Sequence, residues 1–299
     1  MLIFNRKTGL AHLLSVAITS FVLLFLNVSS ALADSMPELW GLGMQTPGSS
    51  IASRINDFHN VMLVIITGVT LLVFVLLVFV IVRFNRRSNP TPSTTTHNVK
   101  LEVIWTLIPC LIVLGIAWIS FPLLYYMDRM PPPDLTLKVT GHQWYWSYEY
   151  PDKNISFDSV AIWNSPDVTD EQVQASLKDA SSHWLIKEDK PLRLLEVDNR
   201  VVLPVGKVIR VQITGADVLH SWFVPSLGAN RMAVVGRLNE IWFKIDKPGL
   251  YFGQCSMICG TGHGYMPIVI EGVPEDQFEA WANSKKTAQN SGISIVAAK

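Results

Sequence analysis

Charge is scarce in this chain of 299 residues: Asp, Glu, Lys and Arg make up 16%, where a soluble globular domain carries roughly 25%. That deficit argues against a wholly soluble protein. Neither sign dominates, with 24 basic residues against 24 acidic ones, so a basic nucleic-acid binder is not the starting expectation. Cysteine is rare and odd in number, and three are too few for a disulfide framework. No internal repeat is present. What fills the space is apolar: hydrophobic residues reach 49% and the mean hydropathy is positive. Such a chain can bury enough surface to offset the entropy of ordering, which excludes disorder, and its oiliness points to a membrane.

The apolar residues are unevenly placed. Arg6 and Lys7 precede an apolar stretch from Leu10 to Val28, followed by Ala31-Leu32-Ala33 and Asp34. This is the pattern of a secretory signal peptide over 1–33, cleaved before Asp34; an uncleaved anchor helix is the alternative. Val61 to Val82 carries no charge and is long enough to cross the roughly 30 Å hydrocarbon core. Val103 to Met127 is a second uncharged run, with Pro109 and Pro122 inside it. Proline is tolerated in a spanning helix whose freed carbonyls find other partners, so a kinked span is expected. The helices are expected at about 57–83 and 101–127, within a segment 34–130 that forms a transmembrane hairpin. Arg83, Arg86, Arg87 and Lys100 lie between the spans with no acidic residue, which places that loop on the cytoplasmic side. Pro131-Pro132-Pro133 reads as a stiff linker lifting the rest of the chain off the bilayer.

From Leu135 the period changes. Leu135 to Thr140 alternates apolar and polar, and similar runs recur at Leu192 to Val197, Val208 to Ile213, Ile241 to Ile245 and Ile268 to Ile270. Short strands between turns such as Pro204-Val205-Gly206 and Asp246-Lys247-Pro248-Gly249 indicate an all-β sandwich or barrel over 134–285. A polar stretch at 165–190 reads as a surface insertion. Glu275 to Lys285 is expected as a short capping helix, and 286–299 as a tail.

The chemical signal is Cys255-Ser-Met-Ile-Cys259-Gly-Thr-Gly-His263-Gly-Tyr-Met266. Two thiols, an imidazole and a thioether on one Gly-rich loop are soft ligands of the kind copper favours, and glycines 260, 262 and 264 let the loop fold back on itself. Three alternatives stand beside copper: a Cys255–Cys259 disulfide, a structural zinc site completed by a distant His, and Met266 as core filler. A single blue-copper site uses one Cys, two His and a weak Met, so the second Cys points to two coppers sharing bridging sulfurs. His220, in Asp217-Val-Leu-His220-Ser-Trp222, is the candidate for the second His.

These motifs, with Gly141-His-Gln-Trp-Tyr-Trp-Ser-Tyr-Glu-Tyr150 and Leu194-Leu-Glu-Val-Asp-Asn-Arg-Val-Val-Leu-Pro204 in the same order, make the chain resemble subunit II of cytochrome c oxidase, the haem-copper terminal oxidase, in its bacterial form with a signal peptide. The resemblance implies a cupredoxin-like Greek-key barrel carrying a dinuclear copper centre, CuA. By motif position it implies Cys255 and Cys259 as bridging thiolates, His220 and His263 as one ligand to each copper, Met266 as a weak ligand, and the backbone carbonyl of Met257 as another. It implies Trp144 as the point where electrons enter from cytochrome c, with Trp146 an ordinary buried aromatic. Asp158, Asp198 and Asp217 match docking carboxylates for a basic donor, where complementary charge speeds encounter. Glu102 matches the mouth of a proton path into the catalytic subunit. Cys110, inside the second span, is given no chemistry.

The implied partners are subunit I with its haem and CuB, subunit III, and cytochrome c, with the protein a two-pass component of the bacterial inner membrane and its C-terminal domain on the periplasmic side. The implied activity is reduction of oxygen to water in the partner subunit, coupled to proton translocation. Three departures stand out: Met257, Met232 and Val235 occupy positions where the family has Glu, Asp and Pro. The Glu side chain helps bind a magnesium ion at the contact with subunit I, so that ion is expected to be weakly held or absent. Two other functions fit the sequence less well. A copper-free quinol oxidase subunit II does not need the Cys, His and Met set, and a membrane-tethered copper carrier needs neither the proline-bearing hairpin nor the aromatic strand. Nitrous oxide reductase shares the copper motif but adds a large domain for which there is no room.

Overall fold

The computed structural model describes residues 43–91, 93–162 and 194–290. The expected signal peptide and the whole of the expected insertion at 165–190 lie outside the described residues.

Two long helices come first. Helix α1 runs Ser50–Arg83 and α2 runs Val99–Asp128. Both are long and apolar enough to cross a membrane. Each starts at a side-chain cap, where an oxygen satisfies a free N–H of the first turn: Ser49 accepts from Ala52 N–H at 3.0 Å and Asn98 from Leu101 N–H at 3.2 Å. Pro109 and Pro122 lie within α2, which buries no residue in the chain alone. The first turn of α1 starts well before the apolar run, because Ser49, Ile51 and Ala52 are buried against the domain that follows.

That domain is a β-sandwich. One sheet has the order β3-β2-β1-β5-β8 and the other β4-β10-β9-β6-β7. The first is made of β1 Leu135–His142, β2 Tyr145–Tyr150, β3 Ile155–Ser159, β5 Val208–Gly215 and β8 Asn239–Lys244. The second is made of β4 Val201–Pro204, β6 His220–Val224, β7 Ala229–Ala233, β9 Gly249–Cys255 and β10 Pro267–Val273. Strands β1 and β5 pair in parallel, as do β4 and β10. This mixed, two-sheet arrangement is cupredoxin-like. The period of two predicts which side chains meet inside: Leu135, Leu137 and Val139 from β1, and Ile209, Val211 and Ile213 from β5, are all buried. Trp146, Tyr148, Trp222 and Phe243 supply the bulk of the filling, with Trp222 and Phe243 stacked at 6.2 Å.

Three expectations need correction. Leu192 to Val197 does not form a strand in its described part. Leu194 has a φ of 65°, and Val197 makes only an isolated bridge to Ala161. The segment is instead a turn held by Arg200, whose Nε donates to the buried Glu196 at 3.0 Å, and by Asp198, which accepts from Val160 and Asn199 N–H at 2.7 Å each. The proline run does not hold the domain at a distance. Trp242 Nε1 donates to Met127 O at 3.1 Å, and the Tyr126 and Trp242 rings meet edge to face at 5.5 Å, so the end of α2 docks directly on the sheet. Helix α3 runs Glu275–Asn290, past the expected end at Lys285, because its polar final turns pack back on β3: Gln289 Nε2 donates to Ser156 O at 2.6 Å.

Candidate metal centre

The site lies at one end of the sandwich, where β6 begins and β9 ends. His220 is the first residue of β6 and Cys255 the last of β9. The register pairs Trp222 with Cys255, which brings the two ends together. A loop from Ser256 then carries Cys259 and returns through a short 3-10 turn, His263–Tyr265, to Met266 and β10. His220, Cys255 and Cys259 are buried, and one potential ligand atom from each lies within 4.8 Å of the others.

The remaining expected residues surround the same two sulfurs. Cys255 Sγ donates to Met257 O at 3.2 Å. Cys259 Sγ lies 3.7 Å from His263 Nδ1 and 3.6 Å from Met266 Sδ. All six side chains or carbonyls singled out in the sequence therefore converge on one place. Met266 is buried, as a core-filling methionine also is, but its sulfur is directed at Cys259.

The donor set fits a soft cation. His220 is fully buried, yet its Nδ1 has no hydrogen-bond partner among the described residues, while its Nε2 lies 2.8 Å from Asp217 Oδ1. A buried ring nitrogen left bare is costly unless something else meets it. Burial, then the adjacent Cys255 and Asp217, pushes the Cys259 thiol up to about 12. A thiol this reluctant to ionise is a poor nucleophile, and a bound cation is what deprotonates it outright. Cys110 is free and exposed on α2, far along the chain from this cluster.

Close approach of the neighbouring turn depends on two glycines. A Cβ on Gly141 would come within 2.9 Å of the His220 ring, and one on Gly262 would run into the ring of Trp144. With those atoms missing, the turn between β1 and β2 lies against the loop. Trp144 Nε1 donates to Cys259 O at 3.3 Å, and Gln143 Nε2 donates to the same carbonyl at 2.9 Å. Trp146 is buried and donates to Met266 O at 3.3 Å, with its ring edge-on to His220 at 5.9 Å.

The three aspartates differ. Asp158 is exposed and accepts from Ser147 Oγ at 2.6 Å. Asp198 is half-buried and committed to its turn; burial raises its carboxyl despite the N–H donors of Val160 and Asn199. Asp217 is held by backbone N–H groups and His220. Burial pulls its carboxyl up, but those hydrogen bonds outweigh it and leave it below the usual carboxylate range. Burial, then the charges of Asp158 and Asp217, push the Tyr145 hydroxyl up, which places negative potential beside Trp144. Glu102 is in the first turn of α2, at the opposite end of that helix from the β domain. Next to the site the surface is apolar: Ile258 is 81% exposed, and Leu219, Met232, Val235 and Leu238 are exposed with it. Sequence reasoning gave no role to Gln143 and missed Asp217 as the partner of His220; the spacing of three residues between Asp217 and His220 was the available signal.

Comparison with known proteins covers nearly the whole described chain. Residues 37–123 match the family described as cytochrome c oxidase subunit II, transmembrane domain, and residues 135–273 match its periplasmic domain. A probable cytochrome c oxidase subunit 2 of Rickettsia felis is 46% identical over 268 residues, spanning 89% of this chain and 79% of that one. Cytochrome c oxidase subunit 2 of Cereibacter sphaeroides is 40% identical over 245 residues, 82% of this chain and 80% of that one. Among solved structures, the periplasmic domain of subunit II of cytochrome oxidase of Bradyrhizobium japonicum is 44% identical, covering 53% of this chain and 98% of that one, with a TM-score of 0.43.

Proposed function

The chain belongs to the cytochrome c oxidase subunit II family, a two-pass membrane component of a haem-copper terminal oxidase with a copper centre, and on that premise we propose that it is the subunit that accepts electrons from cytochrome c and delivers them to haem in subunit I. The observation that carries this reading is the convergence of His220, Cys255, Met257 O, Cys259, His263 and Met266 around two sulfurs. Two copper ions held there would supply a one-electron acceptor and donor. Cys255, Cys259, His220, His263, Met266 and the Met257 carbonyl are the groups that would hold them. The sandwich contributes stiffness: His220 and Cys255 stand on paired strands and cannot drift apart independently.

Trp144 is where electrons enter. Its half-buried indole lies between solvent and the loop, and its hydrogen bond to the Cys259 carbonyl fixes it there. Asp158 and Asp217 place negative charge beside it, which suits a basic cytochrome c and acts mainly on the rate of encounter. The apolar face of Met232, Val235 and Ile258 suits the contact with subunit I. With the basic loop at Arg86 and Arg87 on the cytoplasmic side of the inner membrane, the β domain faces the periplasm and Glu102 opens on the side from which protons are taken. Oxygen reduction and the coupled proton translocation take place in the partner subunits.

The test is to purify the full chain in detergent, load it with copper, and record metal content with optical and EPR spectra. Two coppers per chain and a mixed-valence signal are expected. A single zinc held in preference to copper, or a Cys255–Cys259 disulfide that refuses metal after reduction, overturns the assignment.

A further inference from the structure

Asp217 sits at the crossing of two networks. Its Oδ1 accepts from Val218 N–H at 2.6 Å and faces His220 Nε2 at 2.8 Å. Its Oδ2 accepts from Gln143 N–H at 2.7 Å, and the Gln143 side chain continues to Cys259 O at 2.9 Å. Each carboxylate oxygen offers about two lone pairs, so Oδ1 is fully used and only one position on Oδ2 is left for anything outside the chain. A carboxylate given over to docking a partner would instead keep its lone pairs turned outward.

We propose that Asp217 is a positioning residue that aims His220 at the metal and joins the Trp144 turn to the metal loop. This rests on the copper reading above. Two physical steps carry it. First, an imidazole that donates Nε2–H to a carboxylate keeps its lone pair on Nδ1, and Nδ1 is the buried ring nitrogen of His220 with no partner among the described residues. The hydrogen bond thus selects both the tautomer and the ring orientation that a metal requires. Second, Gln143 is anchored at both ends, by Asp217 through its N–H and by Cys259 through its side chain. Trp144, the next residue, is held against the loop by the same clamp, assisted by Ala216 N–H donating to Gly141 O at 2.9 Å.

Two substitutions in the full chain separate the two arms. Asp217→Ala removes every acceptor. Asp217→Asn keeps one oxygen for His220 and Val218 N–H but turns an NH2 group toward Gln143 N–H. The melting temperature of each copper-free variant controls for folding, and Asp217→Asn, being near-isosteric and on a partly exposed side chain, keeps the test available if the alanine variant fails to fold. Copper affinity by chelator competition is expected to fall about 10- to 100-fold in Asp217→Ala, with altered copper hyperfine splitting in EPR and a shifted reduction potential. Asp217→Asn is expected to restore affinity to near wild type while slowing electron uptake from the donor at high ionic strength, where docking charge is screened. Wild-type affinity, spectrum and potential in Asp217→Ala, with only a salt-dependent change in donor association, overturn the positioning role and leave docking. A wild-type chain that binds no copper overturns the metal reading itself, and the positioning role with it.

Discussion

The indole N–H of Trp144 and the carbonyl of Cys259 are 3.3 Å apart, so a residue at the surface and a buried thiol-bearing residue share a direct hydrogen bond although 115 positions separate them. Trp144→Phe removes that bond and shrinks the π system while keeping an aromatic ring over Gly262. The copper spectrum is expected to stay as in wild type while electron uptake from reduced cytochrome c falls by at least about tenfold, or about 1.4 kcal/mol of barrier. Stopped-flow oxidation of the donor measures it; an unchanged rate removes Trp144 from the path.

Of the three candidate docking aspartates, Asp158 has an exposed carboxylate with a single partner, Ser147 Oγ, among the described residues. Asp158→Asn should slow association with a basic donor at low salt and make no difference at high salt, since screening already removes its contribution there. The salt dependence of the second-order rate is the readout.

Loading the site must displace a thiol proton that burial holds up to about 12. Copper affinity should therefore rise with pH across the neutral range, with protons released on loading in unbuffered solution. In the copper-free chain the sign runs the other way. A thiol with an ordinary value of 9.0 and a folded value of about 12 favours the folded state below the lower value and loses that contribution as pH climbs through the window between them. Copper-free melting temperatures should fall from about pH 9 upward, and copper should abolish the fall.

Met257 places a thioether where the resemblance leads one to expect a carboxylate, and Met232 and Val235 are exposed apolar residues on the same end of the domain. No acidic side chain at these three positions remains to bind a hard cation. Elemental analysis of the intact oxidase should find no stoichiometric magnesium, and manganese added during growth should give no EPR signal from a bound ion. A stoichiometric signal refutes this.

Ser49 caps α1 and also donates to Leu227 O at 2.7 Å inside the β domain. Ser49→Ala should cost about 2 kcal/mol, from the lost cap and a buried carbonyl left unsatisfied. The loss should appear in thermal melts of the detergent-solubilised chain, with copper content unchanged.

The parts of this structure legible in the sequence are those written in local composition. Uncharged runs mark the two spans because lipid tolerates nothing else, and alternation marks β1 and β5 because one face of each is buried. The ligand loop is legible because its residue types are unusual in combination. Contacts between distant segments are not written locally. Nothing near Gln143 announces that its backbone N–H meets Asp217, and nothing near Leu227 announces Ser49. Alternation also misleads where a turn reproduces it: Leu195 and Val197 look like strand residues, but the buried Glu196 is there to pair with Arg200, and the strand begins only at Val201.

The residues just before the first span belong to the domain built after the second. Gly48 N–H donates to Ser226 O at 2.7 Å, Asp246 N–H donates to Gly48 O at 2.9 Å, and Ser49 bridges to Ile245. During synthesis the chain must therefore carry this segment across and keep it waiting, unpaired, until almost all of the sandwich has followed. These contacts require both ends of the hairpin to lie on the same side of the membrane, so the threading of the two helices and the closure of the β domain are coupled.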